Sequence, residues 1–179
     1  MNNTSKNILL LLYFFFSFAM IVCYIVLAFL GLMLFSQIFG FDLGEIFKVK
    51  INIDVFGGKI QDVQTMSKPL LIFTSVYGIL TALMHIKLFK TVLKIINIIK
   101  LRNSFNNDVV QFLSITVRTL LIIGGLYFLM GILYKLITDN TIEISASSLQ
   151  YFLFAGIIYV IEQVYRQGLD IQQENDLTI

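Results

Sequence analysis

In this chain of 179 residues, 58% are hydrophobic and only 13% are charged, whereas a soluble domain is about half apolar and about a quarter charged. So few polar groups cannot cover a globular surface, and the composition indicates a protein embedded mainly in lipid. The formal net charge of +2 is too small to indicate direct nucleic acid binding. The single cysteine, Cys23, lies in an apolar run, which favours a packing role and excludes cysteine-based metal clusters.

Four runs approach the roughly 20 apolar residues that a helix needs to cross a bilayer. The first is uncharged over residues 7–41, about twice the apolar core of a cleaved signal peptide and without a small-residue cleavage pattern, so we expect a retained span. The sequence predicts an all-α membrane protein, a single domain over residues 1–179 built as a bundle of four transmembrane helices. The spans lie at about residues 8–38, 69–88, 112–137 and 149–164.

The distribution of Lys and Arg predicts which loops are cytoplasmic, because cytoplasmic loops carry an excess of these residues. Seven lie beside one set of span ends and five beside the other. The excess predicts that both termini are cytoplasmic in a bacterial inner membrane, and that residues 39–68 form an extracytoplasmic loop. The seven are Lys6, Lys87, Lys90, Lys94, Lys100, Arg102 and Arg166, and the five are Lys48, Lys50, Lys59, Lys68 and Lys135.

Residues 87–107 begin with an amphipathic stretch in which Lys87, Lys90 and Lys94 form a polar stripe on one helical face. A helix from Pro69 to Leu101 would be about 50 Å long, against roughly 30 Å of hydrocarbon. Three interpretations stay open. The helix projects and packs on a partner, it bends to lie along the interface with its lysines toward lipid headgroups, or it simply continues, stabilised by neighbouring helices.

Two loops on the opposite side carry a strand pattern. Apolar and polar residues alternate over residues 48–55, and Gly57-Gly58 is a hairpin turn signal. Residues 141–145, with the sequence TIEIS, repeat the alternation in the third loop. We expect a small extracytoplasmic β element in which strands from loops one and three pair; the alternative is two unpaired extended loops.

Three ionisable residues fall inside the predicted spans, where such groups are costly and are candidates for function. His85 is late in the second span, Arg118 early in the third and Glu162 late in the fourth, so all three are expected near the cytoplasmic boundary. Arg118 could pair there with Glu162, with His85 alongside. The cluster is either a proton-linked or ligand-sensing site, or a structural ion pair with side chains reaching toward water.

Small residues in the spans indicate close helix packing. Gly78 and Ala82 lie four residues apart in the second span. The others are Gly124, Gly125 and Gly131 in the third span, and Ala155 and Gly156 in the fourth.

Motifs for catalysis are missing from the sequence. It has one histidine, no glycine-rich phosphate loop and no G-x-S-x-G elbow. We therefore expect neither an enzyme nor a bound metal or cofactor.

Two segments carry a family resemblance. They are RNSFNNDVVQFLSI at residues 102–115, and FAGIIYVIEQVYRQGLDIQQENDLTI at residues 154–179, with an aromatic-Arg-x-Gly step and an acidic E-N-D-L-T-I ending. The chain resembles the bacterial domain of unknown function 2975 family. The resemblance implies a small four-span membrane protein without a settled activity, and a small helix-turn-helix regulator encoded beside it. It supplies no catalytic residues.

The cytoplasmic tail, residues 165–179, has helical charge spacing. Glu162, Arg166 and Asp170 are four residues apart, and both pairs are favourable, so the fourth helix is expected to continue, with Gly168 as a weak point or break. We expect the tail to pack back on residues 87–101 and to form an interaction surface with them. The surface comprises Lys87, Lys90, Lys94, Arg166, Gly168, Asp170, Glu174 and Asp176.

Two classes of function fit these features. The first is a regulatory or interaction protein that signals to a cytoplasmic partner, such as a helix-turn-helix regulator, or acts in stress or immunity. The second is a small oligomeric transporter or channel, which requires a polar seam through at least one span. A homo-oligomer is compatible with both.

Overall fold

The computed structural model describes residues 3–40, 68–101, 106–138 and 146–177. They form helices α1 (Asn3–Phe39), α2 (Lys68–Leu101), α3 (Asn107–Thr138) and α4 (Ala146–Leu177), and these ranges contain no strand. The predicted all-α class is confirmed. Both strands of the predicted β element, in residues 48–55 and 141–145, lie outside the described residues.

Three of the four helices are long and apolar enough to cross a membrane: α1, α2 over Leu71–Lys100, and α3 over Asn107–Leu133. The described part of helix α4 is less apolar, since Gln150 interrupts its apolar stretch and Glu162 and Gln163 follow it. The prediction of a membrane protein is confirmed, and the fourth span stays a prediction.

Side-chain contacts show that successive helices run antiparallel. Phe16 and Gly78 identify the first pair, since Phe16 packs against Phe89 and Gly78 against Leu30. In the second pair, Tyr77 contacts Tyr127 and Lys94 lies over Phe112. In the third pair, Gly124 meets Tyr151, and Asn106 meets Tyr165. Extensive packing joins α1 to α2, α2 to α3, and α3 to α4.

Most of the large apolar side chains of helix α1 are exposed. None of the residues in its most apolar stretch is buried, and the side chain of Phe14 is 72% exposed. The buried apolar side chains come from the other three helices, with Ile123 and Ala155 almost inaccessible. A soluble protein rarely leaves so large a contiguous apolar surface uncovered, and in a membrane protein lipid covers it.

Two glycines mark the closest helix approaches. A Cβ on Gly78 would lie 2.9 Å from Cδ1 of Leu30, and a Cβ on Gly124 would lie 3.2 Å from Cβ of Tyr151. The predicted role of these glycines in close packing is confirmed. For Gly125 and Gly156 the same prediction is wrong, because each has open space where its Cβ would be.

Helix α3 begins at a polar cap. The side-chain oxygen of Asn106 accepts a hydrogen bond from the backbone amide of Asp108 at 3.1 Å, and its carbonyl oxygen accepts one from the amide of Val109 at 3.0 Å. The amide of Asn106 donates to the hydroxyl of Tyr165 at 3.3 Å. Asparagine is a favoured residue at the N-cap of a helix, and this cap also attaches α4 to the start of α3.

Helix α4 is displaced along its axis relative to α2. His85 lies 17 residues after Lys68, whereas its partner Tyr151 lies five residues after Ala146. The difference of 12 residues corresponds to roughly 18 Å at 1.5 Å per residue. At its other end, α4 continues for 12 residues beyond Tyr165, to Leu177. The displacement leaves fewer α4 residues beside the apolar parts of the other helices and extends its polar end beyond the start of α3.

Candidate functional site

A chain of hydrogen bonds connects α2, α4 and α3. Nε2 of His85 lies 2.8 Å from the hydroxyl of Tyr151, and Nδ1 lies 2.7 Å from the carbonyl oxygen of Thr81 in its own helix. The hydroxyl groups of Tyr151 and Tyr127 are hydrogen-bonded to each other. The rings of these two tyrosines stack with their centroids 5.3 Å apart and an interplanar angle of 14°. We call His85, Tyr127 and Tyr151 the histidine–tyrosine chain.

The hydrogen-bond partners determine the direction of each bond. A carbonyl oxygen only accepts, so Nδ1 of His85 carries a proton. In the neutral imidazole Nε2 is then an acceptor, and Tyr151 donates to it. Since Tyr151 has one proton, Tyr127 donates to the Tyr151 oxygen. If the imidazole is protonated, Nε2 becomes a donor and the bond to Tyr151 reverses. The arrangement can therefore convert protonation of His85 into reorientation of two hydroxyl groups.

Aromatic rings surround the histidine–tyrosine chain. The ring of Tyr77 meets that of Tyr127 edge-on at 6.2 Å, and the ring of Phe89 lies 6.4 Å from the imidazole of His85. Phe16 of α1 packs against Phe89 at 5.9 Å. Side chains of all four helices thus take part in the surroundings of the imidazole, directly or through one neighbour.

Glu162 is a buried carboxylate with a partner in its own helix. Its Oε1 accepts a hydrogen bond from Nη2 of Arg166 at 2.8 Å. The side chain of Glu162 is 6% exposed, while that of Arg166 is 53% exposed. The favourable pair predicted from the four-residue spacing is confirmed. It brings a charged group into the protein and leaves its partner at the surface.

The structure does not bring His85, Arg118 and Glu162 into one cluster. Tyr151, the partner of His85, precedes Glu162 by 11 residues in the same helix, roughly 16 Å along the axis. Arg118 is exposed and forms no ion pair with any described residue. The predicted pair of Arg118 and Glu162 is wrong, because the guanidinium of Arg166, one helical turn away, occupies the carboxylate.

The three lysines of the predicted stripe are exposed on one face of α2. Nζ of Lys90 lies 5.7 Å from the ring centroid of Tyr24 in α1, and Nζ of Lys94 lies 5.2 Å from that of Phe112 in α3. Lys87 precedes Lys90 by one turn, and its carbonyl oxygen accepts a hydrogen bond from the hydroxyl of Thr91. The segment is a plain continuation of α2, which runs unbroken to Leu101.

The end of α4 does not pack back on α2. The helix passes through Gly168 without a break and ends at Leu177, and its extensive packing is with α3. Arg166, Asp170 and Glu174 are exposed and Gly168 is half-buried, while the side chain of Asp176 lies outside the described part of α4. Gly168 is not a break because residues on both sides of it favour a helix.

The predicted interaction surface therefore lies in two parts. Lys94 contacts Phe112, six residues after Asn106, and Asn106 contacts Tyr165. In antiparallel helices this register puts Lys94 level with about residue 159 of α4. Asp170 lies about 11 residues further along, roughly 16 Å away. The lysines of α2 and the acidic residues of α4 do not face each other.

The tyrosines are the site residues that sequence reasoning missed. The search of the spans was for charged groups, and neither Tyr127 nor Tyr151 carries a charge. For Tyr127, a usable signal was its depth in the span. Tyrosines in membrane proteins concentrate at the interfaces, whereas Tyr127 lies in the middle of the apolar run of α3.

The described residues offer few side chains that could act as ligands for a metal ion. Nowhere among them do three His, Cys, Asp or Glu side chains come together. His85 already uses both ring nitrogens in hydrogen bonds, and the Glu162 carboxylate is bonded to Arg166.

Long apolar helices connected by the histidine–tyrosine chain define a multi-pass membrane protein. The family described as "Protein of unknown function (DUF2975)" matches residues 58–179, which include α2, α3 and α4. The chain belongs to this family, and the resemblance seen in the sequence is confirmed. No curated protein and no solved structure matches the chain.

Proposed function

We propose that this protein is a non-enzymatic membrane protein of regulatory or interaction type, which presents the end of α4 to a soluble partner in the cytoplasm. In this proposal α4 is a fourth span, and both termini are cytoplasmic in the inner membrane of a bacterium. The proposed partner is a small helix-turn-helix regulator, and a role in stress or immunity belongs to the same class.

The extension of α4 is the observation that supports the proposal. Beyond Tyr165 the helix continues for 12 residues, roughly 18 Å, and exposes Asp170, Ile171 and Glu174. Ile171 is 60% exposed. A helix that ends in an exposed apolar side chain among acidic ones offers a partner both apolar contact and charge steering.

The test is co-purification with detergent-solubilised full-length protein. The partner used is the small helix-turn-helix protein that the family resemblance implies is encoded beside this gene. A variant lacking residues 168–179 and the double variant Asp170→Lys/Glu174→Lys are both expected to lose it. Gln111→Lys is the control, since it adds a charge to an exposed position near the start of α3. Equal recovery with all variants, at unchanged thermal stability, contradicts the proposal.

A small oligomeric transporter or channel is the second candidate, and the histidine–tyrosine chain is the observation that favours it. Proton translocation requires groups that exchange protons inside the membrane, and His85 with its two tyrosines is such a series. In liposomes carrying a pH gradient, this candidate predicts proton flux that Tyr151→Phe abolishes. Flux equal to that of protein-free liposomes removes its support.

A further inference from the structure

One exposed stripe runs along α2 and changes character halfway. Its residues recur at alternating intervals of four and three, which keeps them on one helical face. Toward the start of the helix the stripe is apolar, and from residue 87 it is cationic. All six side chains are exposed. In order they are Val76, Leu80, Leu83, Lys87, Lys90 and Lys94.

Aromatic rings on the flanking helices fix two of the ammonium groups. Lys90 lies over Tyr24 of α1 and Lys94 over Phe112 of α3, at 5.7 and 5.2 Å from the ring centroids. Cations at such distances from a ring face are attracted to it. The two charges are thus held at the two edges of the exposed face of α2, with Lys87 one turn nearer the apolar half.

No carboxylate of the described residues compensates these charges. Glu162 is bonded to Arg166, and Asp108 to Asn106, while none of the three lysines forms an ion pair with any residue of the described ranges. All three follow the most apolar stretch of α2 in the same unbroken helix. Charges at the end of such a stretch require a counter-charge or access to water.

We propose that Lys87, Lys90 and Lys94 bind the phosphate headgroup of an anionic phospholipid whose acyl chain lies along Leu83, Leu80 and Val76. The dimensions fit one leaflet: from Lys87 to Val76 is 11 residues, roughly 16 Å, and half of the hydrocarbon thickness is about 15 Å. The apolar half of the stripe favours lipid over a soluble anion. This site is separate from the proposed partner surface, which lies on α4.

The test is native mass spectrometry of the full-length protein released from vesicles that contain phosphatidylglycerol and phosphatidylcholine in equal amounts. Wild-type protein is expected to retain phosphatidylglycerol preferentially. The double variant Lys90→Gln/Lys94→Gln is expected to lose roughly tenfold or more of that preference, since each lysine near an anionic surface contributes about fivefold. Glutamine keeps the helix and most of the side-chain length.

Arg118→Gln is the matched control, because Arg118 is another exposed cation in a membrane helix but has no aromatic ring beneath it among the described residues. It is expected to leave the preference unchanged, and millimolar inorganic phosphate is expected not to displace the lipid. Three results overturn the proposal: retention of phosphatidylglycerol by the double variant, an equal loss in Arg118→Gln, or displacement by phosphate. A dimer that the double variant dissociates would also overturn it, by assigning the stripe to a second copy.

Discussion

The imidazole of His85 in α2 and the phenol of Tyr151 in α4 share a hydrogen bond of 2.8 Å, 66 residues apart in sequence. Helices α2 and α4 are not extensively packed against each other, so this bond is a principal connection between them. It also reveals the axial displacement of α4, because it joins a residue far into α2 to one near the start of α4.

Tyr151→Phe is expected to destabilise the protein by about 1 kcal/mol, the scale of a hydrogen bond between membrane helices. The variant removes the donor to Nε2 of His85 and keeps the ring that stacks on Tyr127. Thermal unfolding in detergent measures the change. Tyr159→Phe is the control, since that tyrosine is 52% exposed and is expected to be neutral. In a double-mutant cycle with His85→Phe, additive effects would show that the bond contributes nothing.

Neighbouring glycines of α3 are expected to respond differently to alanine. Gly124→Ala puts a Cβ 3.2 Å from Cβ of Tyr151, an atom near the backbone that cannot move away, so we expect destabilisation of about 1 to 3 kcal/mol. Gly125→Ala meets nothing within 4 Å and is expected to stabilise the helix by up to about 1 kcal/mol. Opposite shifts in the unfolding temperature confirm the close approach of α3 and α4, and equal shifts contradict it.

Removing the charge of Arg166 alone is expected to destabilise the protein more than neutralising both Glu162 and Arg166. Arg166→Gln leaves a carboxylate that is 6% exposed without its charged partner, which costs about 1.5 to 3 kcal/mol. In Glu162→Gln/Arg166→Gln the buried charge is gone, so the double variant is expected to be more stable than Arg166→Gln. Chemical or thermal unfolding of the three proteins compares them. A double variant that is less stable than Arg166→Gln would show that the carboxylate is compensated elsewhere.

Beyond Tyr165 the backbone amide hydrogens of α4 are expected to exchange with solvent faster than those in the packed part of the helix and more slowly than in a random coil. They are in a helix, but the side chains at Arg166, Asp170 and Glu174 are exposed, so local opening is easier than in the packed part. Gly168→Ala is expected to slow exchange on both sides of it by about fivefold, as alanine favours the helix by about 1 kcal/mol. Hydrogen exchange measures both effects, and random-coil rates throughout residues 166–177 would contradict a helical extension.

Much of the architecture follows from the sequence because hydropathy and helix signals are local. The apolar run of α1 and the close-packing glycines Gly78 and Gly124 were predicted from residue type and spacing. Helix α4 differs, since its sequence leaves open whether the helix breaks at Gly168. Sequence propensity allows a break at a glycine, but the neighbouring residues keep the helix intact to Leu177.

The arrangement between helices was less predictable. The pairing of Arg118 with Glu162 assumed that residues at equal distances from the span ends lie at equal depth. The axial displacement of α4 invalidates that assumption. Contacts between helices such as that of His85 with Tyr151 reveal the displacement, and no periodicity in the sequence indicates them. Two members of the histidine–tyrosine chain are uncharged tyrosines, so charged residues in the spans do not indicate them.

The central claim is that α4 crosses the membrane and extends into the cytoplasm, on the same side as the start of α1. Single cysteines at Asn3 and Gln173, each in a Cys23→Ala background, test it with a membrane-impermeant thiol reagent. We expect both Asn3→Cys and Gln173→Cys to be labelled in inside-out vesicles and protected in intact cells. Labelling of the two positions from opposite sides of the membrane would mean three spans and would contradict the account.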